Sequence, residues 1–499
     1  MSVKRNMSFN SISQFYVIGL GIIVMPQYLK YMGQEAYGLV GLFIVMQAWF
    51  AILDMGLTPT IGRETARWHG GATTALKFLR LFRVLHLIFF TIAVPATFLI
   101  IFFSDYIAEH WLSFKELELK EVTFSVQIMV ASVSLRWMGT LYRGVVTGSE
   151  NFIWLSSFNS IVATFRFVGV YGAMYVYGFS PTVFFIYQIF VAAFEFCGLK
   201  WKCDKILPKK ESLSEKLGWS LSPIKDVMKF SLTIAFTASV WILVTQTDKL
   251  IVSGLIPLEE YGYFTLAIVV SNGIMALSAP LNRVVQPRLT RLMAEGKRDD
   301  YISLYISSAK VVSIVALFSA FTISLFAYDV LHAWTGDVDS ANQTRAILQI
   351  YVLGSGMMAL ASFPSMLQNA LGNLYYHLVG NLVILVILLP LSIALSIEYG
   401  AVGAAWAWLA ASFFYLVFWT NYTHKKLIPG YAVQWFLYGV LKPVLIFLFL
   451  LFIFGFWVFE FLGENRVESF LHVFLSYCFS ISIFFVLEYR RFFIGLLKG

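Results

Sequence analysis

Long apolar runs separated by short polar breaks dominate the chain. About fourteen of them reach roughly 20 residues, the length that crosses about 30 Å of hydrocarbon as a helix. Hydropathy places them near 8–29, 37–57, 84–104, 121–141, 153–175, 182–199, 229–253, 263–283, 304–328, 346–366, 375–396, 401–420, 436–460 and 469–487. They lack the period-two alternation of barrel strands, and a helix satisfies its own backbone hydrogen bonds in lipid, so helices are expected. The first run follows Lys4 and Arg5 as a signal peptide would. It extends to about Lys30 without a small-residue cleavage site and reads as a retained span.

Composition agrees: 59% of the 499 residues are hydrophobic and 13% charged, against about 25% charged in a soluble domain. The polar breaks then set the orientation. With the N-terminus inside, the inner segments hold 24 of the 36 Lys and Arg, Arg143 among them in the loop after the fourth span, and the outer segments hold five, Lys30, Lys115, Lys120, Arg345 and Arg466. Both termini are therefore expected on the cytoplasmic side. The net charge of +8 reads as anchoring to anionic membrane lipids rather than as a nucleic-acid footprint. Cys197, Cys203 and Cys478 have neither disulfide-framework nor metal spacing. GGATTALK at 70–77 lacks the Gly-Lys-Ser/Thr ending of a phosphate loop, and there is no Gly-x-Ser-x-Gly nucleophile elbow. No enzyme activity and no cofactor are expected, and no ATP-driven pumping by this chain alone.

The breaks also repeat. GQEAYG at 33–38 returns as PLEEYG at 257–262, so Tyr37 maps to Tyr261 with a shift of 224. The same shift carries Arg67 to Arg291 and Gly148 to Gly372, and Tyr177-Gly178 recurs as Tyr399-Gly400 at a shift of 222. Four landmarks at nearly one shift indicate a duplicated six-span unit. Six is even, so the two lobes share an orientation and a pseudo-twofold axis along the membrane normal, a plan found in transporters. The chain is thus expected to be an all-α integral membrane protein. It divides into an N-terminal six-helix lobe at 1–200, a basic cytoplasmic linker at 201–228, a C-terminal six-helix lobe at 229–424 and two extra transmembrane helices at 425–499. The acidic residue of each Tyr-Gly turn, Glu35 and Glu259, is expected to cap the helix that follows. Gly19 and Gly21 in the first span read as close helix packing.

LKYMGQEAYGLVGLF, LDMGLTPTIGRETAR and TDKLIVSGLIPLEEYGYFTL together resemble the polysaccharide-transport branch of the MOP superfamily, and in particular its Wzx-type flippases. The resemblance extends over the whole chain, and multidrug extruders (MATE) and MurJ-type flippases share the fold. It implies a two-lobed transporter with a central cavity in a bacterial inner membrane. The implied substrate is an undecaprenyl-diphosphate-linked oligosaccharide repeat unit of O-antigen or capsule. The implied partners are that glycan and the polymerase and chain-length machinery of the same pathway.

A charge at the bilayer centre costs about 2.5–3.5 kcal/mol on insertion scales, so such residues usually face a cavity. Arg166 lies mid-span in VATFRFVGVYG. Its planar fork suits a diphosphate or an acidic sugar, and the structural alternative is a buried ion pair inside one lobe. Arg136 and Arg283 lie toward the cytoplasmic ends of their spans, as first contacts for a headgroup or as interfacial anchors. Lys310 is deeper than an anchor needs to be. Asp248 and Lys249 are adjacent, so they are expected to point apart rather than to pair. Lys249 joins the substrate-binding candidates. Asp248 and Glu195 are the candidates for coupling to H+ or Na+. Asp54 is expected to order the loop after it, and His86 to sit at the membrane interface. IGRETARWHGGATTALKFLRLFR reads as an amphipathic helix on the inner surface. A drug/cation antiporter on the same fold would need a carboxylate-lined cavity, whereas basic intramembrane residues outnumber acidic ones here. A membrane-embedded glycosyltransferase would need a large outer loop, and the one near 105–120 is short.

Overall fold

The computed structural model describes residues 3–209, 217–220, 222–371, 374–459 and 465–497. Helices account for nearly all of them, and no strand occurs among them. Eleven helices are long and apolar enough to span a membrane among the described residues, so the expected number of fourteen is not reached by that measure. One of the eleven, Tyr375–Leu427, bends at Gly400, where φ is 58°. Leu119–Gly148 and Ser222–Leu255 also have spanning length and are not among the eleven. Large apolar side chains such as Phe98, Phe102 and Phe190 point outward, as suits a surface solvated by lipid.

Contacts divide the chain into two compact units, Met1–Gly262 and Tyr263–Gly499. In the first, α1 is Val3–Met32, α2 is Gln34–Phe50, α3 is Leu57–His69 and α4 is Ala75–Phe102. They are followed by α5, Leu119–Gly148, then α6, Phe152–Tyr177, α7, Pro181–Ile206, and α8, Ser222–Leu255.

The LDMGL stretch forms a sharp corner. After α2 and a 3₁₀ turn, Met55 and Gly56 both take positive φ, 47° and 68°. The Asp54 carboxylate then accepts from the Thr58 N–H at 3.2 Å and from the Thr58 hydroxyl, so it starts α3 in the manner of an N-cap. Asp54 thus orders the following segment as expected. The amphipathic segment is not one helix. It breaks after His69, Gly71 takes φ 77°, and Thr74 caps α4 through the Lys77 N–H. Helix α3 buries Leu57, Thr60, Ile61 and Thr65. It lies so close to α5 that a methyl group on Gly148 would collide with the Gly62 carbonyl. That close approach accounts for Gly148 as a landmark of the repeat; its counterpart Gly372 lies outside the described residues.

At the first Tyr-Gly turn the acidic residue has a different role from capping, while Glu259 lies in the first turn of Leu258–Ala294. Gly33, not Glu35, precedes α2, and no side chain caps that helix. Glu35 is buried, and its carboxylate accepts from the backbone N–H groups of Lys115, Glu116 and Leu117 at 2.7, 2.9 and 3.1 Å. It therefore fixes the segment leading into α5, which is short of backbone partners. A methyl group on Gly38 would strike Leu258, and one on Gly262 would strike Gln34. Under the shift of 224, Gln34 corresponds to Leu258 and Gly38 to Gly262. The two copies of the turn thus touch reciprocally, and each glycine is needed where the other copy's backbone passes. A methyl group on Gly19, by contrast, would meet nothing within 4 Å among the described residues, and one on Gly21 would meet Phe167 at 3.5 Å, an ordinary contact. Among the described residues the close packing expected at Gly19 does not occur.

In the second unit Phe318 stacks on Phe447 with ring centroids 3.8 Å apart and meets Phe484 edge-on. Trp408 stacks on Tyr351, donates to the Ser355 hydroxyl at 3.2 Å and fills the space that Gly354 leaves. Aromatic packing of this kind holds the C-terminal helices Lys442–Phe459 and Arg466–Leu497 to Arg298–Leu325.

Candidate functional site

Helix α6 passes through a π-helical turn at Phe165–Gly169. A π turn widens the helix and frees carbonyls, and such turns recur at functional sites. Here side chains take up the freed carbonyls: Gln188 Nε2 of α7 donates to the Arg166 carbonyl at 3.0 Å, and the Tyr28 hydroxyl of α1 donates to that of Phe167 at 2.7 Å. A side chain on Gly169 would run into the Tyr187 hydroxyl. The turn is therefore locked from both sides, and Arg166 is presented from it.

Arg166 meets two further arginines around one carboxylate. Glu195 Oε1 accepts from Arg143 Nη2 at 2.8 Å, and Oε2 accepts from Arg166 Nη2 at 2.9 Å. Arg136 Nε stands 4.0 Å from Oε2. Arg136 is spoken for elsewhere: Nη1 donates to Gln47 Oε1 at 2.9 Å and Nη2 to Gln188 Oε1 at 2.6 Å, with Phe43 beneath the guanidinium at 5.2 Å. Its side chain is 8% exposed, whereas Arg143 and Arg166 are 29% and 28% exposed. Arg143 Nη1 donates to Asn159 Oδ1 at 2.8 Å. Three guanidinium groups and one carboxylate leave the cluster two charges positive.

The cluster forms a wall common to two cavities of the first unit. One, of about 350 Å³, is bounded by Asn10, Ser13 and Gln14 of α1 and by Asn159. The other, of about 480 Å³, is bounded by Gln47, Asp54, Thr58, Trp137 and Thr140, with Ala238 and Ile242 of α8. Arg143, Arg166 and Glu195 line both. Amides, hydroxyls and an indole beside a cationic wall are the groups that bind sugars attached to a phosphate.

The residues singled out from the sequence are thus partly gathered. Arg136, Arg166 and Glu195 come together; Arg136 is buried behind the other two. Arg143, first assigned to an inner loop, is a full member that the sequence reading missed. Its spacing of seven from Arg136 puts both on one face of a helix and is the signal that could have found it. The expectation that Asp248 and Lys249 point apart is overturned. Lys249 Nζ lies 3.2 Å from Asp248 Oδ1 and also donates to the Thr245 carbonyl; the four-carbon lysine stem is long enough to fold back over its own helix. Both are buried, at 2% and 5% exposure. In the second unit Lys310 Nζ pairs with Glu488 Oε1 at 2.6 Å, and Lys442 lies 3.5 Å from Oε2. The Arg283 side chain lies outside the described residues. His86 Nδ1 sits 3.3 Å from the Tyr142 hydroxyl.

The model of a family described as "Polysaccharide biosynthesis protein" matches residues 3–293. The chain belongs to this polysaccharide biosynthesis family. A candidate O-antigen transporter of Shigella flexneri is 22% identical to this family member over 425 residues, covering 82% of this chain and 94% of the relative. Among solved structures, the lipid II flippase MurJ in an inward closed conformation superposes with a TM-score of 0.72 at 17% identity, over 98% of this chain and 100% of the other. An inward-facing multidrug-resistance MATE transporter of the MOP superfamily gives 0.66 at 13% identity, over 82% and 94%. These relatives are transporters and flippases rather than enzymes. The protein is a multi-pass membrane protein with the MurJ/MATE fold.

Proposed function

We propose that this family member moves an undecaprenyl-diphosphate-linked oligosaccharide repeat unit, of O-antigen or capsule, from the cytoplasmic to the periplasmic leaflet of a bacterial inner membrane. The observation that carries this reading is the Arg136–Arg143–Arg166–Glu195 cluster, two charges positive, shared by two cavities within one unit. A diphosphate diester carries two negative charges, and arginine forks match phosphate oxygens in pairs. Arg143 and Arg166 line both cavities and bind the headgroup. Arg136, nearly buried at the wall of the second cavity and held there by Gln47 and Gln188, adds positive potential. The uncharged polar walls take the glycan.

Both termini lie in the cytoplasm in this scheme, a reading that the distribution of basic residues supports. Alternating access comes from rocking of the two six-span repeats, 1–200 and 229–424, across the linker at 201–228. A proton or sodium gradient acts through Glu195, the acidic residue that faces both cavities. Collapsing the gradients then slows flipping; undiminished flipping would remove coupling from this scheme. A MATE-like antiporter is disfavoured, because an organic cation would meet a wall of net positive charge.

The test is complementation of a strain lacking its own repeat-unit flippase. Arg166→Ala at normal membrane level lowers surface polymer about tenfold to a hundredfold and leaves lipid-linked units on the cytoplasmic face. Wild-type polymer from Arg166→Ala would refute the assignment of this cluster to the substrate.

A further inference from the structure

Glu195 holds the donors that a phosphate would need. A carboxylate present only to neutralise buried charge would sit against Arg136, the most buried of the three. The geometry is the reverse. Arg136 is held by the neutral amides of Gln47 and Gln188 and kept 4.0 Å from Glu195. Glu195 accepts its two short hydrogen bonds, one at each oxygen, from the two arginines that line both cavities and are the more exposed, at 2.8 and 2.9 Å. Glu195 itself lines both cavities.

We propose that Glu195 is an internal competitor for the anionic group of the substrate: it occupies Arg143 and Arg166 in the empty site and yields them when a diphosphate arrives. This rests on the reading of the cluster as the headgroup site. A diphosphate brings two charges against one and can engage both forks at once, so it displaces the carboxylate. The displaced carboxylate stays tethered beside the guanidinium groups and competes to return. That competition limits affinity. A carrier must bind strongly enough to load and weakly enough to release, and three arginines without a counter-anion would retain a diphosphate. Glu195 therefore tunes release, and the arginines provide capture.

The test measures binding of inorganic pyrophosphate to the purified full-length protein in detergent by titration calorimetry at fixed ionic strength, beside export in the complementation strain. Glu195→Gln should bind pyrophosphate about tenfold or more tighter than wild type while exporting polymer more slowly, as expected when a charged competitor is removed from a desolvated site. Glu195→Asp keeps the charge but is one methylene shorter, reaches one arginine at a time, and should lie between the two. It serves if Glu195→Gln fails to fold. Misfolding or a merely structural role could not raise affinity. If both Glu195 variants bind as wild type does, or more weakly, while Arg166→Ala binds about tenfold more weakly, the competitor role is refuted and the headgroup site stands. If Arg166→Ala binds as wild type does, or no form binds, the headgroup site falls and the competitor role with it.

Discussion

Two buried ionic clusters share the first unit, and they differ in one respect that matters. Asp248 and Lys249 form a closed pair, one charge of each sign, both nearly inaccessible and joined at 3.2 Å with the lysine also bonded to its own helix. Around Glu195 the charges do not balance. Three arginines meet one carboxylate, and two of them are more than a quarter exposed to cavities. A balanced pair recovers part of its desolvation cost and gains nothing by opening. An unbalanced cluster with an open face keeps an unmet demand for anions. Burial of charge alone does not mark a site; excess charge of one sign beside a cavity does.

The comparison is broken most decisively at Asp248. Asp248→Asn takes away the carboxylate that the buried Lys249 ammonium meets at 3.2 Å, which costs about 3–5 kcal/mol. The protein should fall sharply in thermal stability or level. Adding Lys249→Met removes the buried ammonium as well and should recover most of that stability, with polymer export near wild type. Stable double-variant protein that exports nothing would make this pair part of the transport machinery and erase the distinction.

Arg143→Ala comes next. It removes one charge-assisted hydrogen bond to the substrate, worth about 1.5–3 kcal/mol, and export should drop about tenfold to a hundredfold, as for Arg166→Ala. Arg143→Lys should recover a minor part, because an ammonium lacks the planar fork. Full export from Arg143→Ala would confine the site to Arg166 and return Arg143 to the role of an inner-surface anchor.

That role is where the sequence placed Arg143, and the reason is physical. Hydropathy ends a span where apolar residues thin out, so an arginine at a span end and one in a cavity wall look alike. Arg166 was legible because it interrupts an apolar run at mid-depth. The duplicated turns and the LDMGL corner were legible because glycines at close approaches and a capping aspartate leave local patterns. Gln47 and Gln188, which hold Arg136, carry no charge, so a search for charges inside spans passes over them. The Asp248–Lys249 pair was misread because adjacency on a helix fixes where Cβ atoms point, and a lysine ammonium lies four further bonds away. The use of Glu35 was hidden because its partners are backbone groups 80 to 82 residues downstream.

The second unit offers an intermediate case. Glu488 takes both Lys310 at 2.6 Å and Lys442 at 3.5 Å, with Lys310 22% exposed. Lys310→Met leaves Glu488 its second lysine, so the cost lies between that of a surface pair and that of a buried one, about 1–2 kcal/mol. A lower melting temperature with export intact is the expected result. Normal stability with lost export would give Lys310 the substrate contact that its depth in the sequence implied.

The smallest effect belongs to a fourth cluster with the same ingredients. Glu295 is bonded by Lys297 Nζ at 2.9 Å and Arg291 Nε at 2.6 Å, two cations on one carboxylate as at Glu488. It lies on the polar segment between two spans, and its basic partners are more than half exposed. Lys297 and then Arg291 hold the Glu295 carboxyl down to about 2. A carboxyl held below its unfolded value stabilises above that value and loses the contribution only as pH falls through about 2. Between pH 5 and 9 nothing therefore changes its charge, and water and salt screen its pairs. Glu295→Gln should leave melting temperature, export and their pH profiles as in wild type over that range. A loss of polymer from Glu295→Gln would mean that this inner segment handles the substrate, and that excess charge of one sign can act without a cavity beside it.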